Sequence, residues 1–226
     1  MSTTTVLFDI DGTLISTKNA GSRSIDRVFH EVFRVQRKHD LQLHGRTDRG
    51  ILSELLTSHD IEATDENFNR FVEKYLPALD ESLSDYPGIV LPGVIELLDW
   101  LHPQSNVALG LLTGNVRDGA AIKLRHHRLD SYFNFGGYGD DHANRDDVAR
   151  VAKQSAIQQL GDRFDEDRVI VIGDTIHDVT CARAIGATVI AVLTGGATRQ
   201  QLEDVGPDYL CDDLSDGIEL FGRLLG

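Results

Sequence analysis

The sequence predicts an α/β fold, a doubly wound parallel sheet with an inserted α-helical domain. Three features carry that expectation. Short apolar runs recur along the chain, amphipathic helical stretches separate them, and the first gap between runs is far too long for an ordinary crossover.

The runs are 5–8, 107–112, 169–172 and 188–193. They are continuously apolar rather than alternating, as a parallel strand covered on both faces requires. A further strand is expected near Tyr132-Phe133-Asn134-Phe135. Residues 92–101 carry apolar side chains at helical spacing, with Pro103 just beyond. Asn115 is positioned to cap a helix reaching to about Leu129, and Asp146 or Asp147 another reaching to about Gly161.

Roughly 90 residues separate the first two runs, where a βαβ crossover needs only ~10–12. Segments 20–38, 47–59 and 64–83 within that gap read as helices, the last with Phe68, Phe71, Val72, Tyr75, Leu76 and Leu79 on one stripe. Pro87-Gly88 and Pro92-Gly93 mark the return to the sheet. The expected division is an α/β core from residues 1–16 and 88–226, with a helical cap from 17–87.

Composition narrows the partners. With 22 Lys and Arg against 36 Asp and Glu, the formal charge is −14, which argues against nucleic acid or an anionic membrane as partner. A small anion can still bind where a local cation offsets the field. Cys181 and Cys211 lack CxxC spacing and read as small packing residues rather than a disulfide framework or zinc site. The sequence shows neither a signal-peptide pattern nor an apolar stretch long enough to span a bilayer, so a cytoplasmic enzyme is the default expectation.

Polar signals fall where ligands bind in such sheets, beyond the carboxyl ends of the strands. They are Asp9 and Asp11 in FDIDGTL (8–14), Thr113-Gly114-Asn115 in LLTGN (111–115), and Asp174 and Asp178 in VIGDTIHD (171–178). Taken alone, Asp9 and Asp11 read as a turn with two carboxylates, Asp174 and Asp178 as helix-cap residues, and Thr113 as the neighbour of an N-cap. Together they crowd carboxylates at one sheet edge, and mutual repulsion calls for a cation. An all-oxygen donor set without His or Cys favours Mg²⁺.

These three stretches, in this order and around this insertion, resemble the first, second and fourth motifs of the haloacid dehalogenase superfamily, in its phosphatase branch with a helical cap. The resemblance extends over the whole chain and implies a Rossmann-like core. It also implies a Mg²⁺-dependent phosphomonoesterase that hydrolyses a small phosphorylated metabolite through an aspartyl-phosphate. Asp9 would be the nucleophile and Asp11 the general acid–base. Thr113, with Gly114 and Asn115, would hold the phosphoryl oxygens. The metal would lie between Asp9, the Asp11 backbone carbonyl and Asp174, with Asp178 holding a metal-bound water or an outer partner.

The superfamily's third motif is a basic residue, usually within a Lys-Pro pair that this chain lacks. Arg145 and Lys153 are the candidates, and the position of Arg145 just before a helix favours it. Arg46 and Thr47 fall where the resemblance expects a substrate-facing loop; the same residues also read as a helix start with Thr47 as N-cap. Asp11 counts against dehalogenase and phosphonate-cleaving chemistry, since those relatives lack it. A sugar-phosphate mutase resembling β-phosphoglucomutase, and a non-catalytic binding or regulatory protein on the same fold, are the competing expectations. Loss of phosphoenzyme to water tests the first, and absence of turnover the second.

Overall fold

The computed structural model describes residues 2–36 and 43–225. The chain begins with β1 (Thr3–Phe8) and β2 (Ile15–Ser16), then α1 (Ala20–Phe33), α2 (Asp48–Thr57) and α3 (Asp65–Asp85). It continues through β3 (Ile89–Val90), α4 (Val94–Leu101), β4 (Val107–Leu112), α5 (Arg117–His126), β5 (Gly136–Gly137) and α6 (Arg145–Leu160). It closes with β6 (Phe164–Gly173), α7 (Ile176–Ala184), β7 (Thr188–Val192), α8 (Arg199–Val205), β8 (Tyr209–Cys211) and α9 (Gly217–Leu225).

Six strands form one sheet in the order β5-β4-β1-β6-β7-β8, with every pairing parallel. The order reverses at β1, so the crevice beyond β1 and β6 is the switch point of a doubly wound sheet. Alternation along the strands sorts the core. Val6, Phe8, Leu109, Leu111, Ile170 and Ile172 join α4, α5 and α9 on one face. Leu7, Leu112, Val169 and Val171 join α6 and α7 on the other. Burial on both faces is why these strands read as unbroken apolar runs.

Helices α1–α3 bury a cluster of their own around Phe29, Leu55, Phe71, Tyr75 and Leu79. The antiparallel pair β2–β3 joins this helical unit to the sheet at both crossings.

Several expected boundaries shift for physical reasons. Helix α1 ends at Phe33 because Arg34 turns left-handed, with φ 61°; residues 37 and 38 of that expectation lie outside the described residues. Likewise α5 stops at His126, and Arg128 is left-handed with φ 59°. Neither expected acidic cap holds, since Asn144 caps α6 by accepting from Asp146 N. Asn115 does not cap α5, whose N-cap position is Val116.

The strand expected at 132–135 is displaced. Tyr132 ends a short 3₁₀ turn, the Phe133 ring packs edge-on against Phe8, and Gly136–Gly137 make the pairing with Leu111 and Leu112. A side chain on Gly137 would meet Val148 O at 2.3 Å, so α6 can cross this strand only where it is bare. Strand β6 begins earlier than expected, at Phe164, because Asp165, Glu166 and Asp167 hide its first residues in a charged run.

Candidate active site

The loop after β1 is the centre of the site. Asp9 follows the last residue of β1 directly, and its N–H donates to Ile172 O of β6. Gly12 then turns with φ +89°, as the sharp reversal in FDIDGTL demands. Asp174 leaves β6 beside it, accepting from Thr13 Oγ1 (3.2 Å) and Gly196 N (2.9 Å).

Arg145, the first residue of α6, reaches the same point. Its Nη2 donates to Asp9 Oδ1 (2.8 Å) and Asp178 Oδ1 (2.5 Å), with all three side chains buried. Carboxylate oxygens of Asp9, Asp174 and Asp178 lie within 4.8 Å of one another. Three carboxylates thus face one guanidinium. Burial, reinforced by the charges of Asp178 and Asp11 and opposed by Arg145, pushes Asp9 up to about 7. Burial and the charges of Asp178 and Asp9 raise Asp174 well above the ordinary carboxylate range. A buried, oxygen-only cluster with excess negative charge fits a divalent cation.

Within that cluster Asp178 has a different environment. Its Oδ2 accepts from Thr175 N (3.0 Å) and Thr175 Oγ1 (2.6 Å), closing the capping box of α7, while its Oδ1 holds Arg145. Asp9 and Asp174 are the better donors to a metal, and Asp178 is the carboxylate that orients Arg145.

Asp11 faces away from this cluster. Its Oδ2 accepts from Lys123 Nζ (2.5 Å) and Asn115 Nδ2 (2.8 Å). Burial works to raise its pKa, but the Lys123 ammonium and these hydrogen bonds outweigh burial and hold it below the usual value. Asn115 Oδ1 accepts from the same ammonium at 2.6 Å. Thr113, fully buried, accepts at Oγ1 from Asn115 N (3.2 Å) and Nδ2 (2.8 Å).

The segment before α2 covers the loop after β4. A side chain on Gly114 would meet Arg46 O at 2.0 Å, so only glycine admits this contact. Asp48 N donates to Gly114 O (2.7 Å), and Asp48 Oδ2 accepts from Val116 N (2.8 Å) at the start of α5. Burial, opposed by Lys123 and the Val116 N–H, raises Asp48 to about 6. Between the helical unit and the sheet edge lies a cavity of about 560 Å³. Asp9, Asp11, Asn115, Lys123, Arg145 and Asp174 line one wall of it.

Of the residues singled out from sequence, Asp9, Asp11, Gly114, Asn115, Arg145 and Asp174 line this cavity, with Thr113 and Asp178 directly behind. Arg46 also lines it, with its Nη2 on Glu54 at 2.6 Å. Thr47 does not. It caps α2 by accepting from Gly50 N, and its hydroxyl donates to Ala143 O (3.0 Å). Lys153 lies elsewhere, donating to Ile185 O (3.3 Å) beside Glu166. Lys123 and Asp48 were missed. The signal for Lys123 was present, since Gly119, Ala120, Lys123 and Leu124 form the buried stripe of α5 and a lysine is out of place there.

Comparison with known proteins agrees with this geometry. Pyrophosphatase PpaX of Bacillus cereus is 28% identical over 231 residues, spanning 96% of this chain and 95% of that protein. A solved hydrolase from Pseudomonas syringae superposes with a TM-score of 0.72 at 26% identity, covering 97% of this chain and 98% of that one. A CbbY variant from Rhodobacter sphaeroides, solved in complex with xylulose-(1,5)bisphosphate, shares the fold with a TM-score of 0.75 at 16% identity over 95% and 96% of the two chains. The model of the haloacid dehalogenase-like hydrolases matches residues 6–192, from within β1 to the end of β7. The sheet order, the paired aspartates after β1 and this match converge, and the chain belongs to the haloacid dehalogenase-like hydrolase family.

Proposed function

We propose that this protein is a Mg²⁺-dependent phosphomonoesterase that hydrolyses a small phosphorylated metabolite, with residues 17–87 as a cap over the site. The observation that supports it most is the meeting of Asp9, Asp174 and Arg145 beyond β1 and β6, beside a second aspartate held in a separate environment.

In this reading an Asp9 carboxylate oxygen attacks phosphorus. As the new O–P bond forms, the bond to the leaving oxygen breaks and Asp11 gives that oxygen its proton. Water then attacks the aspartyl-phosphate and loses its proton to Asp11. The Asp9 carboxylate departs, inorganic phosphate is released, and both side chains return to their starting states. Asp11 has to serve in both protonation states. The contacts from Lys123 and Asn115 favour the ionised form that activates water, and the charge of an arriving phosphoryl group favours the protonated form.

Arg145 holds Asp9 in place and offers a permanent positive charge beside it. Thr113 accepts two bonds at Oγ1, which leaves its hydroxyl proton to donate to a phosphoryl oxygen. Asp9 and Asp174 would hold Mg²⁺, which supplies charge neutralisation for the phosphoryl oxygens. The helical cap would exclude bulk water.

The test is phosphate release from an aryl phosphate and from a panel of phosphorylated metabolites. Asp9→Asn is expected to cut turnover by roughly 10⁴-fold or more with an unchanged circular dichroism spectrum; undiminished turnover removes Asp9 as nucleophile. Rapid release of phosphate to water, rather than interconversion of sugar phosphates, separates this reading from a mutase.

A further inference from the structure

Lys123 is a buried cation that bonds to Asp11 and Asn115, with the Asp48 carboxylate also within range of its charge. It lies on the inward stripe of α5 between Ala120 and Leu124, and its side chain is only 5% exposed. A buried ammonium is costly unless it is matched by partners of suitable charge and geometry. Among the described residues, both side-chain hydrogen bonds of Lys123 go to residues of the site. Its Nζ is 2.5 Å from Asp11 Oδ2 and 2.6 Å from Asn115 Oδ1. Asn115 Nδ2 closes the ring by donating to the same Asp11 oxygen at 2.8 Å. Asn115 is fixed in turn by two bonds to Thr113 Oγ1.

Asp11 lies on the turn after β1, whose backbone is held by a bridge between Asp11 and Ile15. It follows β1 by three residues, precedes a glycine with φ +89°, and its carboxylate is 37% exposed on the cavity wall. Among the described residues, the hydrogen bonds to its carboxylate come from Lys123 and Asn115. The restraint comes from α5 and from the loop after β4.

We propose that Lys123 is a positioning residue for Asp11: together with Asn115 it holds the Asp11 carboxylate in one orientation at the cavity wall, separate from the Asp9–Arg145 pair. This rests on the reading of Asp11 as the general acid–base. It adds a second cation to the site, with a task different from that of Arg145. Arg145 orients the group that attacks, and Lys123 orients the group that moves protons.

Leaving-group dependence tests it. An acidic phenol departs without protonation, whereas an alkoxide needs a well-aimed acid, and kcat/KM reports the steps through phosphoenzyme formation. For Lys123→Met, kcat/KM should fall by at least ~10-fold on an alkyl phosphate and change little on dinitrophenyl phosphate. Lys123→Arg should recover part of the loss. In an Asp11→Asn background, Lys123→Met should cause no further loss, because its route to the chemistry is already gone. Equal losses across the leaving groups, or an undiminished loss in that background, would overturn the proposal. If Lys123→Met does not fold, Lys123→Gln, which keeps a donor without the charge, is read against the same two criteria. Asp11→Asn alone distinguishes the underlying reading. If its own loss is uniform across leaving groups, Asp11 is not the acid; if its loss is graded and that of Lys123→Met is flat, only the positioning role fails.

Discussion

At the scale of single residues, the site depends on how a few buried charges are matched. Arg145 is shared by Asp9 and Asp178, and removing it leaves two buried carboxylates without their cation. Arg145→Ala should therefore cost about 3–5 kcal/mol in urea unfolding and abolish most phosphate release. Lys153, whose nearest carboxylate is Glu166 at 3.8 Å, should cost within about 1 kcal/mol when truncated and leave activity near wild type. The reverse order would exchange their roles. The two candidates were legible in the sequence, but the choice between them depends on where α6 begins relative to the sheet edge. Asn144 caps that helix and makes Arg145 its first, inward-facing residue.

At the scale of elements, α2 and α5 are joined head to head. Asp48, the first residue of α2, accepts from Val116 N at the start of α5, so an acidic group from the helical unit caps a helix of the sheet layer. Burial raises Asp48 to about 6. Between its unfolded value near 4 and that value, the native state binds a proton that the unfolded chain does not, so this group makes stability fall as pH rises through the window. Asp48→Asn should remove the dependence. The melting temperature of the variant minus that of wild type should rise from pH 4 to 6 and level off above it; a difference that stays flat would show that Asp48 does not titrate there. Thr47 acts on the same element as N-cap, and Thr47→Ala should cost about 1 kcal/mol in thermal unfolding.

At the scale of the whole molecule, the switch point of the sheet brings Asp9 and Asp174 together across 165 positions of sequence. In the proposed function, a bound cation would relieve their mutual repulsion. Mg²⁺ should raise the melting temperature of wild type, by the equivalent of about 2.7 kcal/mol at a hundredfold excess over Kd, and exhaustive chelation should stop phosphate release. Asp174→Asn should lose the Mg²⁺ response while remaining folded; a response equal to wild type would exclude Asp174 from the cation site. By itself the sequence determined the strand runs, the helical insertion and the aspartates at strand ends, because those signals are local: burial on both faces, helical spacing, and polar residues closing apolar runs. Only the tertiary structure decided that Lys123 rather than Lys153 enters the site, that Thr47 is the N-cap of α2 and not a cavity residue, that Asn115 pairs with Asp11 and Lys123 instead of capping α5, and that two glycines make an edge strand. Each of those depends on which backbone lies within a few ångströms from a distant part of the chain, and single-sequence spacing carries no record of that distance.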